Sequence, residues 1–385
     1  MPIILVSGAI ANKLGNGGAT WTRLNWILGF KKLGFETYFV EQIAPENCVD
    51  ALGNRTTFER SANLAYFDQV MKEFDLTRTA ALIESKTLHS RGLTFPELLD
   101  LADTADLLVN ISGHLSLEPL LRRIKRKAYI DLDPGFTQFW HADASLAFQL
   151  KHHDFYFTVG ENIGTDGCSI PANHRCWRPI RQPVVLEHWP AVKSAALSKF
   201  TTIASWRGPF GPVQHGNQSF GLKVHEFRKF IELPCHVPQR FEMALNIHPA
   251  DHKDSAALNR NGWRIVNPAK TVANPAAFRS YVQESDAEFS VAQGIYVETN
   301  SGWFSDRTVR YLASGKPALV QNTGFSRNLP VGDGLLAFSN LPEAVAGVQR
   351  LAADYDHHCR AARTLAETYF DSDKVLGKLL DEAGI

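Results

Sequence analysis

The stretch Ser301-Gly302-Trp303-Phe304-Ser305-Asp306-Arg307-Thr308-Val309-Arg310-Tyr311-Leu312-Ala313-Ser314-Gly315-Lys316-Pro317-Ala318-Leu319-Val320-Gln321 reads as loop, helix, stop and buried strand. Ser305 is a good N-cap, and Asp306 suits the first turn. Val309, Leu312 and Ala313 supply an apolar stripe, and Gly315 followed by Pro317 ends the helix after roughly nine residues. The helix comes straight out of a loop, so its first backbone N–H groups lack intrahelical partners. The positive end of its dipole faces outward, where an anion fits. Arg307 adds a fixed charge there if its side chain turns toward the cleft.

The same grammar recurs on either side of this unit. The apolar run Ile3 to Val6, a Gly/Asn-rich loop, a helix with Trp21, Leu24, Ile27 and Leu28 at helical spacing, and a strand at 37–40 form a β-loop-α-β unit, the mark of a parallel sheet. Helices are expected over 67–74 and 96–102, a basic helix over 120–127, and strands at 80–83, 107–111 and 128–130. Between residues 182 and 199 the text changes, with Pro183 and Pro190 bracketing Val184-Val185-Leu186-Glu187-His188-Trp189, and the junction of two domains is read there. Strands at 201–205, 241–246, 263–266 and 287–291, a long loop at 208–221 and helices at 224–231 and 276–283 restart the pattern. From Pro342 the chain is helical, including 351–370 and 374–380. With 385 residues, and roughly 100–200 per domain, the reading is α/β: two doubly wound halves, 1–190 and 191–360, and a helical tail, 361–385.

Gly302 to Arg307, Tyr311 to Pro317 and Val320 to Gly324 together resemble the donor-binding motif of GT-B-fold glycosyltransferases, and the resemblance covers most of the chain. It implies two Rossmann-like domains facing a central cleft, with C-terminal helices crossing back to the first. It implies transfer of a sugar from a nucleotide sugar to an acceptor hydroxyl, with Trp303, Phe304, Ser305, Asp306, Arg307 and Thr308 around the donor diphosphate. Gly17-Gly18 resembles the glycine pair of these enzymes that lies against donor phosphate and acceptor. Retaining members carry a Glu at the start of the motif and another eight positions on, which grips the ribose. By register those positions are Gly302 and Arg310, so both carboxylates are absent here. A nucleotide-sugar-binding protein without catalysis is the alternative this departure keeps open.

Arg207, after the strand at 201–205, and Lys223, at the start of the next helix, sit at the carboxyl edge of a parallel sheet and are the candidate cations for the diphosphate. In the first half, His114 and Asp133 each follow an apolar strand and are the candidates for the acid/base role. Gln138 and Trp140 are candidates for lining an acceptor pocket. Gly15-Asn16-Gly17-Gly18-Ala19-Thr20 nearly matches a dinucleotide loop, and Glu41 ends the next strand at about the spacing of a ribose-binding acid. That supports a second enzyme class, an NAD-dependent oxidoreductase or nucleotide-sugar epimerase.

The 40 Lys and Arg cancel the 40 Asp and Glu, a balance that argues against a nucleic-acid or membrane-surface partner. Five scattered cysteines without a C-x-x-C pair suggest neither a disulfide framework nor a zinc ribbon, and point to the cytoplasm. The pairs His152-His153 and His357-His358 point to different faces, and Cys168, His174 and Cys176 lack a fourth ligand, so no metal site is expected. The expected partners are a nucleotide sugar, acting as substrate with no further cofactor, and a small-molecule or glycan acceptor. No membrane span is expected.

Overall fold

The computed structural model describes residues 2–141, 150–208 and 210–385. Its first sheet contains β1 (Ile3–Ser7), β2 (Glu36–Ile43), β3 (Ala80–Glu84), β4 (Ser90–Gly92), β5 (Leu107–Ile111), β6 (Lys127–Asp131), β7 (Phe155–Thr158) and β8 (Trp177–Pro179). They lie in the order β4-β3-β2-β1-β5-β6-β7-β8, parallel except for β4. β3 and β5 are buried along their whole length because helices cover both faces of the sheet. Its helices include Gly17–Lys32, Ala62–Glu73 and Phe95–Thr104.

Next come β9 (Lys199–Ser205) and the hairpin β10 (Val213–His215) and β11 (Gln218–Phe220). They are followed by β12 (Arg240–Asn246), β13 (Trp263–Val266), β14 (Ala287–Ser290), β15 (Ala318–Gln321) and β16 (Leu335–Phe338). The second sheet runs β13-β12-β9-β14-β15-β16, all parallel. In each sheet the strand order reverses at one place, between β1 and β5 and between β9 and β14. Ligands of open α/β sheets bind in the crevice beyond the strand ends at such reversals.

The chain returns to the first half through the helix Tyr355–Tyr369. Val184 N–H donates to Phe370 O at 2.8 Å and Ser372 N–H to Val184 O at 3.0 Å. The last helix, Ser372–Ala383, then packs on Gly17–Lys32 at Gly29, where an added Cβ would lie 2.5 Å from Leu376 Cδ1. Trp21, Trp189, Phe278, Phe304 and Phe370 join one apolar cluster that both halves share. No helix among the described residues is long and apolar enough to cross a membrane.

Three local expectations change. The basic helix expected over 120–127 ends at Leu121, because residues 126 and 127 are already drawn into the sheet: Leu108 N–H donates to Arg126 O at 2.9 Å. The helix expected over 351–370 is two, Leu341–Ala353 and Tyr355–Tyr369, broken at Asp354, whose carboxylate caps the second by accepting from His357 N–H. The 208–221 loop, in which residue 209 lies outside the described residues, contains β10 and β11. That hairpin reaches across to the first half, stacking Phe220 on Phe139 with centroids 5.0 Å apart.

Candidate functional site in the interdomain cleft

The two reversals meet in one cleft. From the first half come the β1 loop (8–16), the β5 loop with His114 and the β6 loop with Asp133. The short helix Gly294–Glu298 belongs to the second half and carries Tyr296, whose hydroxyl donates to Asp133 Oδ1 at 3.2 Å. Just before that helix, Gln293 Oε1 accepts from Lys223 N–H at 2.8 Å. The helix and the residue before it thus join the first half's acid to the backbone at position 223 in the second half.

Asp133 follows Asp131, and the two carboxylates differ in what surrounds them. Asp131 is fully buried and accepts from Thr137 Oγ1 (2.6 Å), Gln138 Nε2 (2.8 Å), Thr158 Oγ1 (2.7 Å) and Asp133 N–H (3.1 Å). It is spent on holding the loop. Asp133 is only partly enclosed, and burial together with the charge of Asp131 pushes its carboxyl up to about 6. A group that titrates there can accept a proton near neutral pH. His114 is placed on the same edge by two positive-φ residues, Ser112 (φ 54°) and Gly113 (φ 65°). Burial and the nearby Arg23 and Lys13 charges push its imidazole down to about 3. It stays neutral and is a weak base, so of the two acid/base candidates Asp133 has the suitable chemistry.

Among the expected donor residues, Lys223 lies at the second reversal. Its ammonium donates to Val291 O at 2.8 Å, and burial with the Arg307 charge pushes it down to about 7. The other residues are distributed differently from the expectation. The Arg207 guanidinium grips Asp251 through both Nε and Nη2, which occupies its fork at the rim. Arg307 turns inward, not toward the cleft: it donates to Glu288 Oε1 (2.5 Å), Ile203 O (2.6 Å) and Ser290 Oγ (2.7 Å) and neutralises a carboxylate buried in β14. Phe304 is core, stacked on Phe370 at 5.3 Å, and Thr308 is fully buried. Trp303 stacks on Tyr296 with centroids 4.5 Å apart and thereby backs the tyrosine that holds Asp133. Ser305 caps its helix as expected, accepting from Arg307 N–H at 3.2 Å. Asp306 pairs with Arg310 (2.8 Å) and accepts from Thr22 Oγ1 (2.7 Å), a contact between the halves.

Gly17 and Gly18 allow close approach of protein to protein. An added Cβ on Gly17 would lie 2.2 Å from Asn274 O, and one on Gly18 would lie 2.8 Å from Phe278 Cε2. Gln138 is not an acceptor residue: it is fully buried, with its amide between Asp131 and Gly135 N–H. Trp140 is at the surface, edge-on to Phe210 at 4.7 Å, where a sugar ring can reach it.

Gly302 leaves no room for a side chain. It adopts φ +75°, and a Cβ there would lie 2.9 Å from both N and Cγ of Asn162. Asn162 Nδ2 donates to Asn300 O (2.9 Å) and Gly324 O (3.1 Å), so a first-half side chain fills the space beside Gly302. Gly302→Glu is expected to destabilise the protein by roughly 1–2 kcal/mol for the backbone alone and more for the overlap. Thermal unfolding checks this; an unchanged melting temperature would contradict it.

Glu41 does not suit a dinucleotide ribose. Fully buried, it accepts from Ile10 N–H (2.8 Å), Ala11 N–H (2.9 Å), Asn12 N–H (2.8 Å) and Asn12 Nδ2 (2.8 Å), and so shapes the β1 loop. Glu41→Ala strands those buried donors and is expected to cost about 1–3 kcal/mol or more, read by chemical denaturation; full stability would contradict the assignment.

Sequence reasoning missed Lys13, Arg23 and Tyr296. Arg23 had a signal: it is the only charge in Gly17–Lys32 before Lys31. Tyr296 had none, because its partner Asp133 lies far away in the chain. No group of three or more His, Cys, Asp or Glu among the described residues could hold a metal ion.

No protein-family model matches the chain, and no curated protein matches it in sequence. Solved structures match it over its whole length. An alpha-glucosyltransferase in complex with UDP-glucose and DNA containing an abasic site aligns with TM-score 0.62 and 12% identity, covering 100% of this chain and 99% of that one. Anabaena HepE in complex with UDP and glucose aligns at 0.59 and 9%, covering 100% of both. Sucrose-phosphate synthase from Thermosynechococcus elongatus aligns at 0.56 and 10%, covering 99% of both. The DNA complex corrects the expectation that excluded nucleic acid as a partner. Net charge averages over the whole surface and does not report a local patch, so a balanced chain of this fold is not barred from DNA. Two sheets, parallel except for β4, two facing reversals and helices that cross back give this chain the GT-B fold of these glycosyltransferases.

Proposed function

We propose that the chain is a glycosyltransferase that moves a sugar from a nucleotide-sugar donor to an acceptor hydroxyl, using no metal ion and no cofactor beyond the donor. The observation that carries this reading is the link made by Gln293 and Tyr296, which join the Lys223 backbone N–H at one reversal to the Asp133 carboxylate at the other. Asp133 takes the acceptor's hydroxyl proton, the acceptor oxygen bonds to the anomeric carbon, and the bond from that carbon to the diphosphate breaks. The charge that leaves is met by Lys223 and by fixed dipoles at the second sheet's edge. The half 191–360 is the donor side, 1–190 the acceptor side, and 361–385 crosses back. Uridine nucleotides are the first donors to try, since the alpha-glucosyltransferase and HepE structures contain UDP. Five cysteines without a disulfide suit a reducing compartment such as the cytoplasm.

A thermal-shift panel of nucleoside diphosphates, nucleotide sugars and NAD(P) tests the reading. Stabilisation by the first two groups and not by NAD(P) is expected, followed by nucleoside diphosphate release on turnover. Stabilisation by NAD(P) alone would overturn it, and binding without release would reduce it to a nucleotide-sugar binder.

A further inference from the structure

The acceptor side holds a polar cavity of about 860 Å3 at the first reversal, with Lys13, His114, Asn16, Asn47 and Gln42 in its wall. Lys13 is the cation in its wall, and Arg23 lies buried nearby, close enough that both charges act on His114. Lys13 is exposed, and among the described residues its ammonium has no hydrogen bond or ion pair. Arg23 is 7% exposed, donates from Nη1 to Ala19 O at 3.2 Å, and leaves its buried Nε without a partner. Room for Arg23 is built in: a Cβ on Gly8, immediately after β1, would lie 2.8 Å from Arg23 Cγ.

The nearby carboxylates do not cancel these charges. Glu41 is sealed by its N–H donors, Asp306 is paired with Arg310, and Glu46, which also lines the cavity, is paired with Lys86 at 3.6 Å. What remains is Asp133 against both Lys13 and Arg23; desolvation of the ammonium first, and then the Arg23 charge, lower the lysine from its ordinary value. A neutral acceptor would leave one positive charge surplus beside the reacting groups. Burying or crowding like charges is unfavourable unless an opposite charge arrives.

Building on the glycosyltransferase reading, we propose that the acceptor carries a phosphate group, bound at this cavity by Lys13 with Arg23 beneath it. The phosphate brings the acceptor to the first reversal with its hydroxyl toward Asp133. The cavity's volume suits a phosphorylated sugar or polyol. A phosphodiester of a nucleic acid offers the same chemistry.

The test uses the full chain saturated with UDP, so that the donor site is filled, and titrates inorganic phosphate by calorimetry. Wild type is expected to bind one phosphate, Lys13→Met to bind it at least 10-fold more weakly, and Lys253→Met, at an exposed lysine of the second half, to bind it unchanged. A short DNA duplex in place of phosphate separates the sources: if it binds more tightly and loses affinity in Lys13→Met, the source is a phosphodiester; if it does not, a phosphomonoester. No phosphate binding to the UDP-saturated wild type, or binding that Lys13→Met leaves unchanged, overturns the proposal. Failure of UDP itself to bind would instead strike the glycosyltransferase reading.

Discussion

Asp133→Asn is expected to lower sugar transfer about 10²–10⁴-fold, the usual loss when a positioned proton acceptor is removed. The carboxyl titrates at about 6, raised by burial and by Asp131, and it is needed ionised. Activity measured as kcat/KM should therefore be low below pH 5 and rise through pH 6. In the asparagine variant the residual rate should lose that rise. Binding of the donor nucleotide should change little, since Asp133 belongs to the first half. A variant with full activity, or one that keeps the rise near pH 6, would remove Asp133 from its role and return attention to His114. The neutral imidazole at 114, pushed down to about 3, predicts no activity limb between pH 5 and 8 from that residue.

The second large effect is expected at Lys223. Hydrogen bonds to charged groups contribute about 1.5–3 kcal/mol, so Lys223→Met should weaken nucleoside diphosphate binding about 10- to 150-fold. The pH dependence has the opposite sense to that of Asp133. Burial first, and then the Arg307 charge, holds the ammonium down to about 7. A lysine that is cationic below that value and neutral above it favours diphosphate at low pH, and affinity should decline as pH rises through 7 in wild type. The methionine variant should be flat over the same range. With Asp133 rising and Lys223 falling, kcat/KM should be bell-shaped with its maximum between the two values. Arg207→Ala should have the smaller effect, because Asp251 already holds the guanidinium at the rim.

The strands were legible because parallel strands buried on both faces are written as short apolar runs; Ile3 to Val6 and Leu107 to Ile111 need no partner information to be read. The edges of the sheets were legible for the same reason, and they led to Asp133 and Lys223. What the side chains do at those edges was not, because it depends on residues distant in sequence. Asp131 and Asp133 look alike in the chain, and only the convergence of Thr137, Gln138 and Thr158 on Asp131 separates the structural carboxylate from the available one. That convergence also removes Gln138 from the acceptor pocket. Arg307 was expected to face an anion, but Glu288 in β14 needs its charge more. Gly302 is unreadable without Asn162, which sits 140 positions earlier and fills the space a side chain there would need.

Hydrogen–deuterium exchange of the full chain with and without UDP tests the central claim most directly. The account predicts slowed exchange at 206–208, 221–223 and 291–296, around the second sheet's reversal, and weakening of that protection in Lys223→Met. Protection confined to the β1 loop at 8–20, or no protection at either reversal, would contradict it.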